Sequence, residues 1–197
     1  MIVTSGTGLL TPGKFATEDI AAPPVSPSWP RASEEAAVQL GSRGVRVSVV
    51  RLPPSVHGEG DHGFVPTLIA FARAQGASAY VGDGLNRWPA VHRLDAAVVY
   101  RLALEAAGAR YHAVAEAGIP FREIASVIGR RLNLPVASKT GEQAIEHFGW
   151  LAQFAAADLP ASSERTRERL GWQPRQPGLL ADVDQPCYFA ASAASAA

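Results

Sequence analysis

Cysteine is almost missing from this chain of 197 residues, Cys187 being its only one. No disulfide can form within it, and a reducing compartment, the cytoplasm, is the expected home. Lysine is scarce too, with Lys14 and Lys139 alone, and neither sign of charge prevails: 18 basic side chains meet 18 acidic ones. That balance excludes the basic footprint of a nucleic-acid-binding protein and the polybasic patch of a membrane-surface protein. No apolar run approaches the roughly 20 residues that cross a bilayer. The start, Met1-Ile2-Val3-Thr4-Ser5-Gly6, lacks the basic leader and apolar stretch of a signal peptide. What remains is the composition of a soluble globular protein, 47% hydrophobic and 18% charged, in a chain long enough to bury a core.

Ile2-Val3-Thr4 reads as a strand that begins at once. It is either a short first strand at a sheet edge or an interior strand of a larger fold whose earlier part is not present. Four prolines between Ala21 and Pro30 forbid regular helix or central strand there. Residues 33–40 combine helix formers with acids in the first turn and stop at glycine, and Val45 to Val50 is β-branched and alternating. A helix, a glycine and a valine-rich strand make one crossover, so the sheet is predicted to be parallel.

Further helices are predicted over 64–75, 95–107, 120–132 and 162–170, and strands over 78–81 and 110–114. Leu94, Val98 and Leu102 recur every four residues and predict the buried face of the third helix, with Arg101 and Glu105 paired at its edge. Ile124, Val127, Ile128 and Leu132 predict the inner stripe of the fourth. Thr140-Gly141-Glu142-Gln143 reads as a capping box. The arginines at 165, 167 and 169 read as a solvated face, and the last eight residues as a frayed tail.

Four stretches in order resemble the extended short-chain dehydrogenases, the NAD-dependent epimerases and dehydratases. Val49-Val50-Arg51-Leu52-Pro53-Pro54-Ser55-Val56-His57-Gly58 is similar to a family strand ending in Arg, followed by a Pro-containing loop and Tyr-Gly, with His57 in place of Tyr. Tyr80-Val81-Gly82-Asp83-Gly84, then Val91-His92-Arg93-Leu94-Asp95, resembles a Gly-Asp-Gly turn leading to a Val-His-Val-Asp-Asp segment. Tyr111 to Val114 with Pro120 to Ile124, and Thr166 to Pro174 with its Leu-Gly-Trp-Gln-Pro, complete the series.

The resemblance implies an α/β fold, with a partial Rossmann-like parallel sheet from residues 1–60 and a smaller mixed α/β substrate-binding lobe from 61–189, before a flexible tail at 190–197. It implies NAD or NADP as cofactor in a full-length parent chain. The substrate would be a small molecule, a free or nucleotide-linked carbonyl or sugar, with a homodimer through the 33–40 helix.

By the same resemblance Ser5 and Thr7 take the place of the family's catalytic hydroxyls, and Pro53, Pro54 and Ser55 face the nicotinamide, with Arg31 supplying charge to the nucleotide. His57, Arg87, Trp88 and His92 line the substrate pocket: Arg87 offers donors to a diphosphate and Trp88 a ring to stack on. His57 and His62, with Glu59 and Asp61 between them, match no zinc spacing, so no metal is expected.

Two features of the family are absent from these residues. Gly6-Thr7-Gly8 leads to Leu-Leu-Thr-Pro, not to the Gly-x-x-Gly-x-x-Gly turn and helix that cradle a pyrophosphate. No tyrosine is followed four residues later by a lysine, the pair whose charge lowers the phenol pKa for proton transfer. A shortened enzyme and a non-catalytic binding or regulatory protein on the same scaffold therefore both stand as expectations.

Overall fold

The computed structural model describes residues 1–25, 32–106 and 108–190. Three parallel strands lie side by side at the heart of the amino-terminal part: β1 (Ile2–Gly6), β2 (Ser48–Leu52) and β6 (Arg110–His112), in the order β1-β2-β6. Ile2 pairs with Ser48 and Gly6 with Leu52, so both strands end together. The third strand comes from beyond residue 60, so the sheet is completed by chain that first leaves to build the lobe.

Alternation along β2 sends its side chains to two faces. Val49 and Arg51 point towards α1 (Ser33–Ser42), where Arg51 meets Glu34. Ser48 and Val50 point towards α3 (Arg93–Glu105), Ser48 Oγ donating to the Ala103 carbonyl. Helices thus cover both faces, the arrangement that parallel sheets require.

In α3 the buried residues are Asp95, Ala96, Val99 and Ala103, whereas Leu94 and Val98 are exposed. Of the predicted face only Leu102 packs against the core, and the buried face lies about one position away. The small Ala96 and Ala103 let the helix lie close against Val50, Tyr111 and Trp172, which Leu94 and Val98 could not do without overpacking. Arg101 and Glu105 do pair, at 3.0 Å.

The lobe holds a mixed sheet, β3 (Ser55–His57), β5 (Arg87–His92) and β7 (Glu116–Pro120), and a parallel pair, β4 (Ser78–Val81) with β8 (Val136–Lys139). Helices α2 (Phe64–Gln75), α4 (Phe121–Leu132), α5 (Glu142–Phe148) and α6 (Ala152–Ala156) pack around them. Ile124, Val127 and Ile128 are buried as their spacing requires. The capping box at 140–143 does not form: the N-cap of α5 is Gly141, at φ +50°, and no side chain bonds there. The chain closes with α7 (Glu164–Leu170) and α8 (Leu179–Val183). The arginines of α7 are not simply solvated: Arg165 pairs with Asp19, and Arg167 donates to the Ala115 carbonyl and lies over Trp172. No helix among the described residues is long and apolar enough to cross a membrane.

Candidate functional site

The paired ends of β1 and β2 set the geometry of the candidate site. Ser5 sits opposite Arg51 and Gly6 opposite Leu52, so Thr7 and Pro53 leave the sheet side by side. The carboxyl ends of parallel strands are where α/β folds bind ligands, because the chain turns away there and leaves a crevice. Thr7 is 2% exposed, and its Oγ1 has no hydrogen-bond partner. Ser55, two residues past Pro53, is also buried, and its Oγ too is unpartnered. An unmade hydrogen bond inside a protein costs about 1–3 kcal/mol, so the two orphaned hydroxyls just past the strand ends are candidates for a ligand that brings the missing partners.

Below them a buried ion pair fixes the frame. Arg51, fully buried, grips Glu34 with two hydrogen bonds, Nε to Oε1 at 2.8 Å and Nη2 to Oε2 at 2.6 Å. Burial pushes the Glu34 carboxyl up, but the Arg51 and Ser5 hydrogen bonds and the Arg51 charge outweigh it and hold the group below its usual range. Nη1 of Arg51 then reaches Nε2 of His112 at 3.3 Å, while His112 Nδ1 lies 2.8 Å from the Ser162 carbonyl. A guanidinium only donates and a carbonyl only accepts, so His112 is neutral with its proton on Nδ1. Ser5 therefore faces this network.

His57 and His92 lie in a second buried cluster, edge-on to each other with ring centres 5.3 Å apart. His57 Nδ1 is 2.9 Å from Asp182 Oδ2, which also accepts from the Tyr188 hydroxyl at 2.9 Å; that hydroxyl accepts from the Gly58 amide at 2.8 Å. His57 Nε2 is buried without a partner. His92 is the N-cap of α3, its Nδ1 accepting from the Leu94 amide, and burial followed by the nearby His57 lowers its pKa. Asp95 accepts from the Arg175 and Gln176 amides, tethering the turn after Trp172 to the helix start. These side chains bind α3, α8 and the carboxyl-terminal turn to the lobe.

Two expected substrate contacts are placed differently. Trp88 has no accessible ring face: it is fully buried, with Phe121, Phe154 and Phe64 at ring-centre distances of 4.8, 5.2 and 5.6 Å. Arg87 is held by Asp158, Nε to Oδ1 at 2.9 Å and Nη2 to Oδ2 at 2.8 Å, with its own amide on the same carboxylate. Those bonds keep Asp158 below the usual carboxylate range and occupy the Nε–Nη2 side of the Arg87 guanidinium. Arg31 lies outside the described residues. Sequence reasoning missed Glu34, Asp158, Asp182 and Tyr188. Only Glu34 carried a local signal, as an acid in a first helical turn.

No family model matches the chain. It is 50% identical over 192 residues to the uncharacterized protein C2A9.02 of Schizosaccharomyces pombe, across 96% of this chain and 65% of that protein. It is also 50% identical over 184 residues to the uncharacterized protein YLL056C of Saccharomyces cerevisiae, across 92% of this chain and 62% of that one. The chain thus spans less than two thirds of the length of these relatives. Among solved structures it is similar to DesIV, a dTDP-glucose 4,6-dehydratase from Streptomyces venezuelae with NAD bound. There the TM-score is 0.72 and the identity 18%, over 95% of this chain and 59% of that one. It is similar too to the UDP-glucose 4-epimerase of Thermus thermophilus in complex with NAD, with a TM-score of 0.68 and 19% identity, over 97% and 64%. MoeE5, solved with UDP-glucuronic acid and NAD, matches with a TM-score of 0.69 and 19% identity, over 95% and 64%. The chain has the Rossmann-like α/β fold that these NAD-bound epimerases and dehydratases share.

Proposed function

We propose that this chain carries the substrate side of an NAD(P)-dependent oxidoreductase, epimerase or dehydratase of the cytoplasm, acting on a small carbonyl or sugar compound. In this reading the further length of its relatives supplies the Gly-rich dinucleotide half. The observation that carries it is the pair of hydroxyls just past the ends of β1 and β2, Thr7 Oγ1 and Ser55 Oγ, both buried and unpartnered, the second in the loop that holds Pro53 and Pro54. Those residues fit the nicotinamide end of a dinucleotide: the hydroxyls offer donors and acceptors to a carboxamide or a substrate oxygen, and the prolines keep the loop from closing on the space. The dinucleotide, when bound, would accept and return a hydride. Thr7 would orient the substrate oxygen, and Arg51 with Glu34 would hold the strand ends at their spacing. A homodimer through α1, whose Val38 is exposed, belongs to the same proposal.

The test is thermal unfolding of this chain, and of the chain extended at its start with the additional residues of a relative, with NAD(H) and NADP(H). A ligand that binds only the native state must raise its melting temperature. The extended chain is expected to shift with at least one cofactor and Thr7→Ala to shrink the shift; no shift with either cofactor sinks the proposal. The sequence also favours a second reading, a non-catalytic binding protein on the same scaffold, because no tyrosine–lysine pair with helical spacing is present. Cofactor binding without oxidation or reduction of any tested carbonyl compound would favour it.

A further inference from the structure

A cleft of about 930 Å³, a size that holds a small molecule, opens on the α1 face of the sheet. Val47, Val49, Ala109 and Arg110 form its floor. Those residues lie where β2 and β6 begin, whereas Thr7 follows the carboxyl end of β1, at the opposite end of the strands. One wall is α1, with Ala37, Val38 and Gly41, and the other is the chain from Glu18 to Val25. A Cβ on Gly41 would meet nothing within 4 Å, so the space beside the helix there is open.

The walls are largely aliphatic, but one buried group bordering the cleft is chemically incomplete. Glu18 is 3% exposed. Its Oε1 accepts from the Thr166 amide at 2.8 Å and the Thr166 hydroxyl at 2.7 Å, while Oε2 has no partner among the described residues. None of the ion pairs among the described residues includes Glu18. The cations around it are spent elsewhere: Arg51 on Glu34, Arg165 on Asp19, and Arg110 on the Ile20 and Asp19 carbonyls. His112, which accepts from Arg51, is neutral. Glu35 and Arg169 also border the cleft, but both are exposed, and water and salt screen them. A buried carboxylate without a counter-charge is costly, so Glu18 is the group that selects an occupant.

From this geometry we infer that the cleft is a second binding site, for a small primary amine whose ammonium donates to Glu18 and whose aliphatic body lies along Val38, Val47 and Val49. The ammonium supplies both the missing donor and the missing charge; an alcohol supplies the donor alone, and a carboxylate supplies neither. A hydrogen bond between charged partners is worth roughly tenfold more in affinity than one with a neutral partner. The site is independent of the dinucleotide reading, because every residue it uses lies away from the strand ends that carry that reading.

The experiment follows hexylamine, 1-hexanol and hexanoate, which share one kind of aliphatic body, by calorimetry and saturation-transfer NMR on this chain at constant ionic strength. Hexylamine is expected to bind saturably, hexanol roughly tenfold more weakly, and hexanoate weakest of all. Glu18→Gln is expected to bring hexylamine down to the level of hexanol. Gly41→Leu, which grows a side chain into open space from a helical position, is expected to abolish binding of both without lowering the melting temperature. Should Glu18→Gln fail to fold, Gly41→Leu and the order of the three probes still decide. Hexylamine binding no better than hexanol or hexanoate, indifference to Gly41→Leu, or no saturable binding would each overturn the inference. So would loss of hexylamine binding in the chain extended with the additional residues of a relative, since protein would then fill the cleft.

Discussion

Arg51 sits near the end of β2 with no exposure, and its charge is tolerated because Glu34 takes two of its donor positions and His112 a third. His112 must stay neutral to accept that third bond, and burial, its largest influence, lowers its pKa from the usual 6.5. The folded chain then binds fewer protons than the unfolded one once pH falls below about 6.5, so this contribution to stability is complete above that value and is lost on acidification. His92 and His147, both lowered mainly by burial, act in the same direction. Urea unfolding at pH 7.5 and 5.5 should show a large acid-side loss. In His112→Gln that loss should shrink by up to about 1.4 kcal/mol per pH unit, one proton's worth, although the variant is less stable at neutral pH. An unchanged pH slope would show that His112 is not the group titrating. Trp88 offers a second test at this scale. As the centre of an aromatic cluster, Trp88→Ala should cost about 3–5 kcal/mol, read from the denaturant midpoint; near-neutrality would contradict its place in the core.

Whole elements show where sequence reading succeeds. α2 and β4 fall on the predicted residues 64–75 and 78–81, because glycines end both and the patterns inside are local. α4 buries its predicted stripe for the same reason. For α3 the Leu/Val and Ala/Val faces have equal claims by period, and only the neighbouring sheet decides between them. The hydroxyls of Thr7 and Ser55 were singled out by the resemblance, and both side chains are buried without a partner. The pairs that shape the rest of the site were not singled out: Arg87 and Asp158 lie 71 residues apart and His57 and Asp182 lie 125 apart, distances no local pattern spans. The carboxyl-terminal elements are held by that last pair and by Tyr188, whose phenol burial pushes up in pKa so that it stays a donor. Tyr188→Phe should strand the Gly58 amide and cost about 1–3 kcal/mol, with cleavage by protease after α8 becoming faster. Wild-type protease resistance in the variant would show that α8 holds without the strap.

At the scale of the molecule, the sheet ends on one side at β1, which pairs with β2 alone, so the backbone groups on its other edge have no strand partner among the described residues. Exposed strand edges template further pairing. Tyr100 of α3 bonds to Thr4 of β1, and Leu104, one turn along the same side of that helix, is exposed. An unpaired strand edge beneath an exposed leucine is what the proposal of a longer parent sheet requires. In a parallel pair alternate amides point towards the partner and the rest away. Amide exchange on this chain should therefore show strict alternation along Ile2–Gly6, protected where hydrogens face β2 and fast where they face outward. Adding the remaining residues of a relative should protect both sets and raise the melting temperature. Uniform protection in the chain as it stands would mean that this edge is already covered, by a second copy or by its own chain, and the strand would then be a finished border rather than a junction.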